Sequence, residues 1–494
     1  MFFRRMKDII RMFKQVYIIR AASVKPFLQK EIPPAGAARL KSGGTFMNDP
    51  ARITFPPFSC ECGLPHVTPD IDIYVGSGIL PRLASSLQKR LPGSHLLLVA
   101  DNHTFEVAGK QVMKHLEENG YRVSPCVLVR EGELNPDHVG LGEIMMAMEK
   151  EMDFFLAVGS GTLCDLTRYA AACACKPYAI FGTAPSMDGY TSVHAPLLIA
   201  GMKTSKVTDP PQVIFCELDI MRKAPPDMFT SGLGDVLGKY IARADWTLSH
   251  YLLGEPCCTA SLDMVMQAVD KCLANLDGIR NRTLEGTRNL TEALLLSGVT
   301  ILITSNTRAV ASTEHNMSHI WEMTKLFDGE TPPAHGIAVG FGTLWCLRFW
   351  EALMAVDFTA WSSNAGIQRK TAPTREQKAQ AMEEGLGIRV ARILQKKNPD
   401  FYTDPAVATA RALKFLSLRE TLAKSLKFLP SSSRIASVWK SLGGPVTAEE
   451  LRITPAQLKG CLLFAKDFRL RYNCFNLAED MGILESLVEQ VLSQ

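Results

Sequence analysis

The chain has 494 residues, of which 21% are charged and 47% hydrophobic, values typical of a soluble globular enzyme. A chain of this length is expected to form two or more domains. The sequence contains no apolar run of 18 residues and no regular cysteine spacing, which argues against a membrane span, a disulfide framework and a zinc ribbon. We expect most of the 13 cysteines, including the Cys60-Glu61-Cys62 pair, to be small buried hydrophobic residues in a reducing cytoplasm.

Positive charge is concentrated in the first 48 residues, which carry ten Lys or Arg and two acidic residues, whereas the rest of the chain is mildly acidic. Basic and apolar residues alternate there, a pattern typical of an interfacial helix or a crude nucleic-acid patch. A targeting peptide is disfavoured because no uninterrupted apolar segment follows. We favour a third explanation. The codons of Lys41–Met47 can contain a purine-rich ribosome-binding sequence just before Met47, so translation would start at Met47 and residues 1–46 would be a start-site artefact. We therefore expect neither a nucleic-acid partner nor membrane contact.

Short apolar segments alternate with helix-length segments between about residues 70 and 225, a pattern that predicts a parallel sheet with crossover helices. The predicted strands are Ile71–Val75, Leu96–Ala100, Val123–Val129, Phe154–Val158, Tyr178–Phe181 and Val213–Phe215. The predicted helices between them are Thr104–Asn119, Leu141–Glu151 and Thr162–Ala172. The sequence thus predicts an α/β dinucleotide-binding domain over residues 49–225.

Longer segments rich in Leu, Ala and Met follow the Pro225-Pro226 pair, where we place the domain boundary because proline interrupts both helices and strands. Predicted helices include Leu262–Leu276, Leu290–Leu302 and Gly342–Ala355. Residues 226–494 are therefore predicted to form an all-α domain that carries the metal and substrate sites, with a polar surface excursion at 363–380.

A glycine-rich turn, Gly159-Ser160-Gly161-Thr162-Leu163, joins a predicted strand to a helix. Backbone amides and the positive helix end can bind phosphate there, although any tight strand-to-helix connection might use the same residues. Asp101 follows the strand Leu96–Ala100, a position at which an acid commonly binds the adenosine ribose hydroxyls, and this favours NAD over NADP.

Two further polar motifs lie where ligands are expected. The segment Thr183-Ala184-Pro185-Ser186, continuing to Asp188 and Ser192, follows a predicted buried strand, and open α/β sheets bind ligands at the carboxyl ends of strands. An Asx turn at Asp188 is the competing explanation. Asp235 lies in a small, apolar helical segment, where capping of the helix is the competing explanation.

Three of the ten histidines fall within 21 residues. His315 and His319 are four residues apart and share one face of a predicted helix, and His335 lies in a Pro-Ala-His-Gly segment. A single histidine usually fills another role, but this clustering indicates a metal site. Imidazole suits Zn, Ni, Fe or Cu, and a third ligand upstream would leave one coordination position open for catalysis.

From about residue 55 onward the chain resembles the bacterial, metal-dependent glycerol-1-phosphate dehydrogenases, within the superfamily of dehydroquinate synthases and iron-dependent alcohol dehydrogenases. Five motifs in the same order carry the resemblance: Gly159–Asp165, Thr183–Ser192, Gly232–Lys239, Glu314–His319 and Ala334–Gly336. The resemblance implies a dehydroquinate synthase-like fold, NAD or NADP as cofactor, and a homodimer.

The resemblance also implies residue roles. Asp235, His315 and His335 would hold one divalent metal, Ni or Zn, while His319 and Asp188 would contact substrate, which revises the first interpretation of His319. Arg308 is our first candidate for binding a substrate phosphate, ahead of Lys203 and Lys239. The implied cofactor-binding residues are Gly159, Ser160, Gly161, Thr162, Leu163, Thr183, Ala184, Pro185, Ser186 and Ser192.

The expected reaction is the reversible reduction of dihydroxyacetone phosphate to sn-glycerol 1-phosphate by NAD(P)H, with a metal-polarised carbonyl accepting hydride. A dehydrogenase acting on glycerol or another alcohol is one alternative. A lyase resembling dehydroquinate synthase, which would release phosphate without net NADH oxidation, is another. A non-catalytic nucleotide-binding protein is disfavoured because all three ligand positions are present. Which enantiomer forms does not follow from the sequence.

Overall fold

The computed structural model describes residues 51–53, 60–199, 202–358 and 373–493, all within one compact unit. The basic segment 1–48 and the larger part of the predicted polar excursion, residues 363–372, lie outside the described residues. A parallel-sheet α/β half is followed by a helical half, as predicted from the sequence. The division of the chain at residue 225 stays a prediction.

The first half is built on a seven-stranded sheet with the order β1-β2-β9-β6-β5-β3-β4, in which only the β1–β2 pairing is antiparallel. Its strands are β1 Arg52–Ile53, β2 Asp72–Gly76, β3 His95–Asp101, β4 Arg122–Leu128, β5 Phe154–Gly159, β6 Tyr178–Gly182 and β9 Val213–Glu217. All six predicted strands are confirmed. A separate antiparallel hairpin, β7 His194–Ile199 and β8 Met202–Val207, was not predicted.

Both faces of the sheet are covered, which explains why the predicted strands read as continuous apolar runs. Along β3, Leu97 and Val99 belong to one core cluster whereas Leu96 and Leu98 belong to another. Successive side chains of a strand point to opposite faces, so the two clusters lie on the two sides of the sheet. The covering helices are α1 Leu83–Arg90, the segments Asn102–Thr104 and Phe105–Gly109 that lead into α2 Lys110–Glu118, α3 His138–Met146, α4 Gly161–Cys173 and α5 Leu218–Met221.

The second half is helical throughout its described residues. Its first seven helices are α6 Pro226–Leu237, α7 Lys239–Leu253, α8 Thr259–Ala274, α9 Leu276–Arg280, α10 Leu284–Thr304, α11 Thr313–Phe327 and α12 His335–Met354. The remaining seven are α13 Arg375–Leu386, α14 Ile388–Lys397, α15 Pro405–Ser425, α16 Ser432–Ser441, α17 Pro455–Phe464, α18 Cys474–Asp480 and α19 Leu484–Leu492. The three helices predicted here are confirmed, and each begins earlier than predicted; α8 ends at Ala274, so the predicted end at Leu276 falls in the next helix.

Helix α12 is a central element of this half and packs against α6 and α11. By length and composition it is apolar enough to cross a membrane, but 78% of its most apolar window is buried inside the protein. Phe341, Leu344 and Phe349 are fully buried on it. We therefore interpret α12 as a core helix.

Candidate metal centre

Three helices bring Asp235, His315 and His335 together. Asp235 lies in the last turn of α6, His315 in the first turn of α11, and His335 is the first residue of α12. One potential ligand atom from each lies within 4.8 Å of those of the other two. Asp235 is fully buried, whereas the side chain of His335 is 32% exposed, so the cluster opens to its surroundings at His335.

Backbone contact between α6 and α12 sets this arrangement. A Cβ atom on Gly234 would lie 2.0 Å from the carbonyl oxygen of Gly336, and one on Gly336 would lie 1.9 Å from that of Ser231. Only glycine permits so close an approach. The close crossing of α6 and α12 at Gly234 and Gly336 therefore places the neighbouring residues Asp235 and His335 next to each other.

Carboxylates behind the two histidines orient both rings. Glu314 Oε1 lies 2.7 Å from His315 Nδ1, and Glu322 Oε1 lies 2.8 Å from His335 Nδ1. A carboxylate that accepts from Nδ1 fixes the tautomer in which Nε2 carries the lone pair, which is the usual arrangement behind a metal-binding histidine. His315 Nε2 lies 3.3 Å from Asp235 Oδ1, so the free nitrogen faces the third predicted ligand.

A buried lysine and a second carboxylate complete the polar cluster. Lys239 Nζ donates to Asp188 Oδ2 at 2.7 Å and to Asp235 Oδ1 at 3.1 Å, and the Asp188 amide donates to Asp235 Oδ2 at 2.9 Å. Ser297 Oγ donates to Asp188 Oδ2 at 2.6 Å. The helix-cap explanation for Asp235 is therefore wrong, because it lies inside α6. The Asx-turn explanation for Asp188 is also wrong, because its carboxylate serves this cluster.

The charges favour an ionised Asp235. Burial opposes its ionisation, but Lys239 and the two histidines outweigh burial and hold the pKa of Asp235 well below its usual range. Burial likewise opposes the charged form of Lys239, yet Asp188 and Asp235 raise its pKa. One carboxylate and two Nε2 atoms form a donor set that suits a divalent first-row metal, so the residues present fit the predicted ligand set.

His319 lies beside this cluster. Its ring stacks on that of His335 with centroids 5.5 Å apart, and its Nδ1 lies 3.6 Å from Glu322 Oε2. His319, Glu322 and His335 form a second group of neighbouring ligand atoms, which shares His335 with the first group but does not contain His315. The first interpretation, with His315 and His319 in one ligand set, does not match these groups. The predicted substrate contact remains compatible with the position of His319.

Arg308, the first candidate for a substrate phosphate, is paired with a carboxylate. Its Nε donates to Glu255 Oε1 at 2.8 Å, its Nη2 also contacts Glu255, and the residue is buried. The charge of Arg308 is thus balanced elsewhere, which does not favour its predicted role. Lys239 is held by the two aspartates described above, and the side chain of Lys203 lies outside the described residues.

Arg469 is a cation that the sequence reasoning missed. Its Nη2 lies 3.4 Å from His319 Nε2, and its Nη1 is buried without a hydrogen-bond partner among the described residues. Burial lowers the pKa of Arg469 from its ordinary value. A guanidinium beside His319 whose Nη1 has no hydrogen-bond partner among the described residues is suited to an anion. The signal in the sequence is the Arg469-Leu470-Arg471 segment, but 150 residues separate Arg469 from His319.

The predicted nucleotide-binding turns lie together at the carboxyl ends of β5 and β6. Thr183 N donates to the Gly159 carbonyl at 3.1 Å, and Ser160 Oγ lies 2.6 Å from Ser186 Oγ. The Ser186 carbonyl in turn accepts from Ser231 Oγ of α6 at 2.9 Å. A short chain of hydrogen bonds therefore links the glycine-rich turn and the N-terminus of α4 to the helix that carries Asp235.

The remaining cofactor candidates make local contacts. Asp101 Oδ1 caps the segment after β3 by accepting from Thr104 N at 2.7 Å and from Thr104 Oγ1 at 3.0 Å. Asp101 also ends the strand next to β5, where the order of strands reverses direction and ligands of such sheets commonly bind. Ser192 Oγ donates to the His194 carbonyl at 2.9 Å. The roles assigned to Asp101 and Ser192 stay predictions.

Comparisons with known proteins place the chain beside metabolic dehydrogenases in sequence and fold. The family model described as iron-containing alcohol dehydrogenase matches residues 74–225. Glycerol-1-phosphate dehydrogenase (NAD(P)+) of Halalkalibacterium halodurans is 39% identical over 288 residues, which cover 58% of this chain and 72% of that protein. The Bacillus licheniformis protein of the same name is 27% identical over 432 residues, which cover 87% of this chain and 94% of that protein. The structure of glycerol dehydrogenase from Schizosaccharomyces pombe matches 88% of this chain and 93% of its own chain, with a TM-score of 0.54 at 16% identity. This match shows the shared fold.

Proposed function

Because the chain belongs to the glycerol-1-phosphate dehydrogenase family, we propose that it catalyses the reversible, NAD(P)H-dependent reduction of dihydroxyacetone phosphate to sn-glycerol 1-phosphate. The observation that carries this proposal is the convergence of the buried Asp235 with His315 and His335, each histidine oriented by a carboxylate on Nδ1. Neither the glycerol dehydrogenase alternative nor the lyase alternative is favoured by the names of these relatives.

Asp235, His315 and His335 would hold one divalent cation, Ni or Zn, which when bound supplies Lewis-acid polarisation of the substrate carbonyl. Glu314 and Glu322 keep the two Nε2 atoms available to that cation by accepting at Nδ1. Lys239 holds Asp188 and Asp235 in place by donating to both carboxylates, and it favours the ionised form of Asp235. The partial exposure of His335 marks the side from which substrate enters.

Arg469 and His319 are our candidates for binding the phosphorylated end of the substrate. Arg469 Nη2 donates to His319 Nε2 at 3.4 Å, and Arg469 Nη1, which has no hydrogen-bond partner among the described residues, is left to donate to one anionic group beside His319. The same anion would satisfy Arg469 Nη1, the one nitrogen of this guanidinium that is buried without a hydrogen-bond partner among the described residues. This replaces Arg308 in the proposed site.

The nicotinamide cofactor would occupy the surface formed by Gly159–Leu163, Thr183–Ser186 and Ser192, with Asp101 near the adenosine ribose. The amides at the start of α4 and its positive helix end suit a pyrophosphate. The Ser160–Ser186–Ser231 contacts connect this surface to the metal ligands, so cofactor and substrate carbonyl would meet between them.

The proposal extends to the cytoplasm as compartment and to a homodimer as assembly. None of the 13 cysteines, all of which lie among the described residues, is in a disulfide bond, which suits a reducing compartment. The dimer rests on family resemblance, and light scattering coupled to size-exclusion chromatography will measure it. We retain residues 49–225 and 226–494 as the two domains.

The proposed function is tested by NADH oxidation with the purified, metal-loaded protein and two ketones, dihydroxyacetone phosphate and dihydroxyacetone. We expect kcat/KM to fall when the phosphate is absent, and Arg469→Ala to remove most of this preference. A lost hydrogen bond to a charged group costs about 1.5–3 kcal/mol, or roughly 10- to 150-fold in kcat/KM.

Arg392→Ala is the matched control, because the side chain of Arg392 is 70% exposed and lies on α14. This variant should keep the preference for the phosphorylated ketone. Equal rates with both ketones would instead favour an alcohol dehydrogenase. Phosphate release without net NADH oxidation would favour the lyase.

A further inference from the structure

A second group of metal-binding side chains lies outside the site described above. Cys60, Cys62, His66 and Cys258 each offer one ligand atom, and these atoms all lie within 4.8 Å of one another. Cys60 Sγ lies 2.9 Å from Cys62 Sγ, 2.9 Å from His66 Nε2 and 3.6 Å from Cys258 Sγ. His66 Nε2 lies 3.1 Å from Cys62 Sγ and 3.7 Å from Cys258 Sγ.

These separations suit a tetrahedral ion. Zinc binds thiolate at about 2.3 Å and imidazole at about 2.0 Å, so a regular tetrahedron separates two sulfurs by about 3.8 Å and a sulfur from a nitrogen by about 3.6 Å. The two contacts of Cys258 match these values, at 3.6 and 3.7 Å. The contacts among Cys60, Cys62 and His66 are shorter, so these three donors need to move apart by less than 1 Å to surround the ion.

His66 is oriented as a metal ligand. Its Nδ1 lies 3.4 Å from the Ile303 carbonyl, to which it can only donate, and its Nε2 then carries the lone pair that faces the three sulfurs. A backbone carbonyl behind the remote nitrogen is a common partner of metal-binding histidines. This contact lies outside the four donors and therefore supports the site independently.

Backbone amides point at two of the sulfurs. Leu64 N donates to Cys62 Sγ at 3.4 Å, and Ser261 N donates to Cys258 Sγ at 3.4 Å, where Cys258 caps the start of α8. Amide donors stabilise the negative charge that a metal-bound thiolate retains. The expectation that the Cys60–Cys62 pair is merely buried hydrophobic surface does not match these contacts or the partial exposure of both residues.

A disulfide does not explain the cluster. The Cys60 and Cys62 sulfurs are 2.9 Å apart, whereas a disulfide bond is about 2.05 Å long, and a disulfide would leave Cys258 and the lone pair of His66 without a role. Three thiolates and one imidazole provide four protein ligands. Sites with four protein ligands are structural, since no coordination position remains for substrate.

We propose that Cys60, Cys62, His66 and Cys258 bind one structural Zn²⁺. The ion would join the segment that precedes β2 to the start of α8. Cys258 also shares a small apolar cluster with Ala309, Val310 and Ala311, and the Val310 carbonyl accepts from Lys239 Nζ at 3.1 Å. The zinc would therefore brace the loop that runs from α10 to α11 and supports the catalytic cluster.

Metal content in the His315→Ala background tests this proposal, because that substitution removes a ligand of the other site. We expect two metal ions per unsubstituted chain, one in His315→Ala, and none in His315→Ala combined with Cys258→Ser. Cys257→Ser is the matched control: Cys257 is the buried neighbour in the same apolar cluster but is not among the four donors, so this variant should keep its zinc.

Spectroscopy tests the same proposal without relying on variants that might misfold. Protein loaded with Co²⁺ should show thiolate-to-cobalt charge-transfer absorption, which the oxygen and nitrogen ligands of the other site do not give. Zinc X-ray absorption of the unsubstituted protein should show sulfur neighbours at about 2.3 Å. Absence of sulfur neighbours, or a metal-free His315→Ala protein, would overturn the proposal.

Discussion

Gly234→Ala tests whether the backbone contact between α6 and α12 creates the metal centre. The new Cβ atom would lie 2.0 Å from the Gly336 carbonyl oxygen and 2.7 Å from Cη2 of Trp439, whereas Cβ contacts below 3.0 Å are essentially never seen. The backbones must therefore separate by about 1 Å. Trp439 is fully buried and cannot swing away without further rearrangement.

A displacement of this size exceeds what a metal site accepts. Ligand distances are normally held within about 0.2 Å, and a misplacement of about 1 Å at a catalytic centre can cost roughly 100-fold in rate. Asp235 directly follows Gly234, and His335 directly precedes Gly336. Both ligands therefore move with the backbone. We expect weaker metal binding and about a 100-fold loss of kcat/KM, with about 1–3 kcal/mol of lost stability from overpacking.

Metal competition titrations, NADH oxidation and thermal unfolding measure these three quantities. Helix propensity alone predicts that Gly234→Ala stabilises the protein, because alanine is favoured over glycine by about 1 kcal/mol inside a helix. Gly142→Ala in α3 is the control, since a Cβ there meets nothing within 4 Å, and it should be neutral or stabilising. Unchanged metal affinity and turnover in Gly234→Ala would refute the reasoning.

Three further substitutions test a carboxylate behind a metal ligand, the ion pair of Arg308, and the buried Asp245 of α7. Glu322→Gln should weaken metal binding by about 10- to 100-fold, measured by competition with a chelator, because it removes the carboxylate behind His335 Nδ1. Arg308→Ala should lower the Tm by leaving Glu255 without its partner, yet keep the preference for the phosphorylated ketone, which loss of a phosphate ligand would not do. Asp245→Asn tests pH dependence, because burial raises the pKa of Asp245 to about 6. The free energy of unfolding of the parent should therefore fall by about 3 kcal/mol as pH rises from about 4 to about 6. The Tm of the asparagine variant should rise relative to that of the parent over this pH range, and the difference in Tm should stay constant above it.

The centre of the sheet was predictable because β2, β5, β6 and β9 are buried along their whole length. Strand β5 is an unbroken apolar run that ends at Gly159, and the apolar run alone indicates a buried strand. The hairpin of β7 and β8 was missed because β7 is only partly buried, with His194 and Ile199 exposed at its two ends. A surface hairpin has no such run to reveal it.

The predicted metal ligands are brought together, but what brings them together was not visible in the sequence. The glycines of α6 are plain in the Gly232-Leu233-Gly234 segment, whereas their contacts with Pro185 and Gly336 depend on how distant segments pack. Arg469 and Cys258 were missed for the same reason. Each completes a cluster whose other members lie more than 100 residues away, a distance over which local pattern carries no information.

NADH oxidation by the metal-loaded protein with dihydroxyacetone phosphate, followed by assay of the product with an enzyme specific for sn-glycerol 3-phosphate, tests the central claim most directly. We expect NADH to be oxidised, the product to give no signal in the second assay, and His315→Ala to abolish both oxidation and metal binding at that site. A signal for sn-glycerol 3-phosphate, or no oxidation at all, would contradict the proposed function.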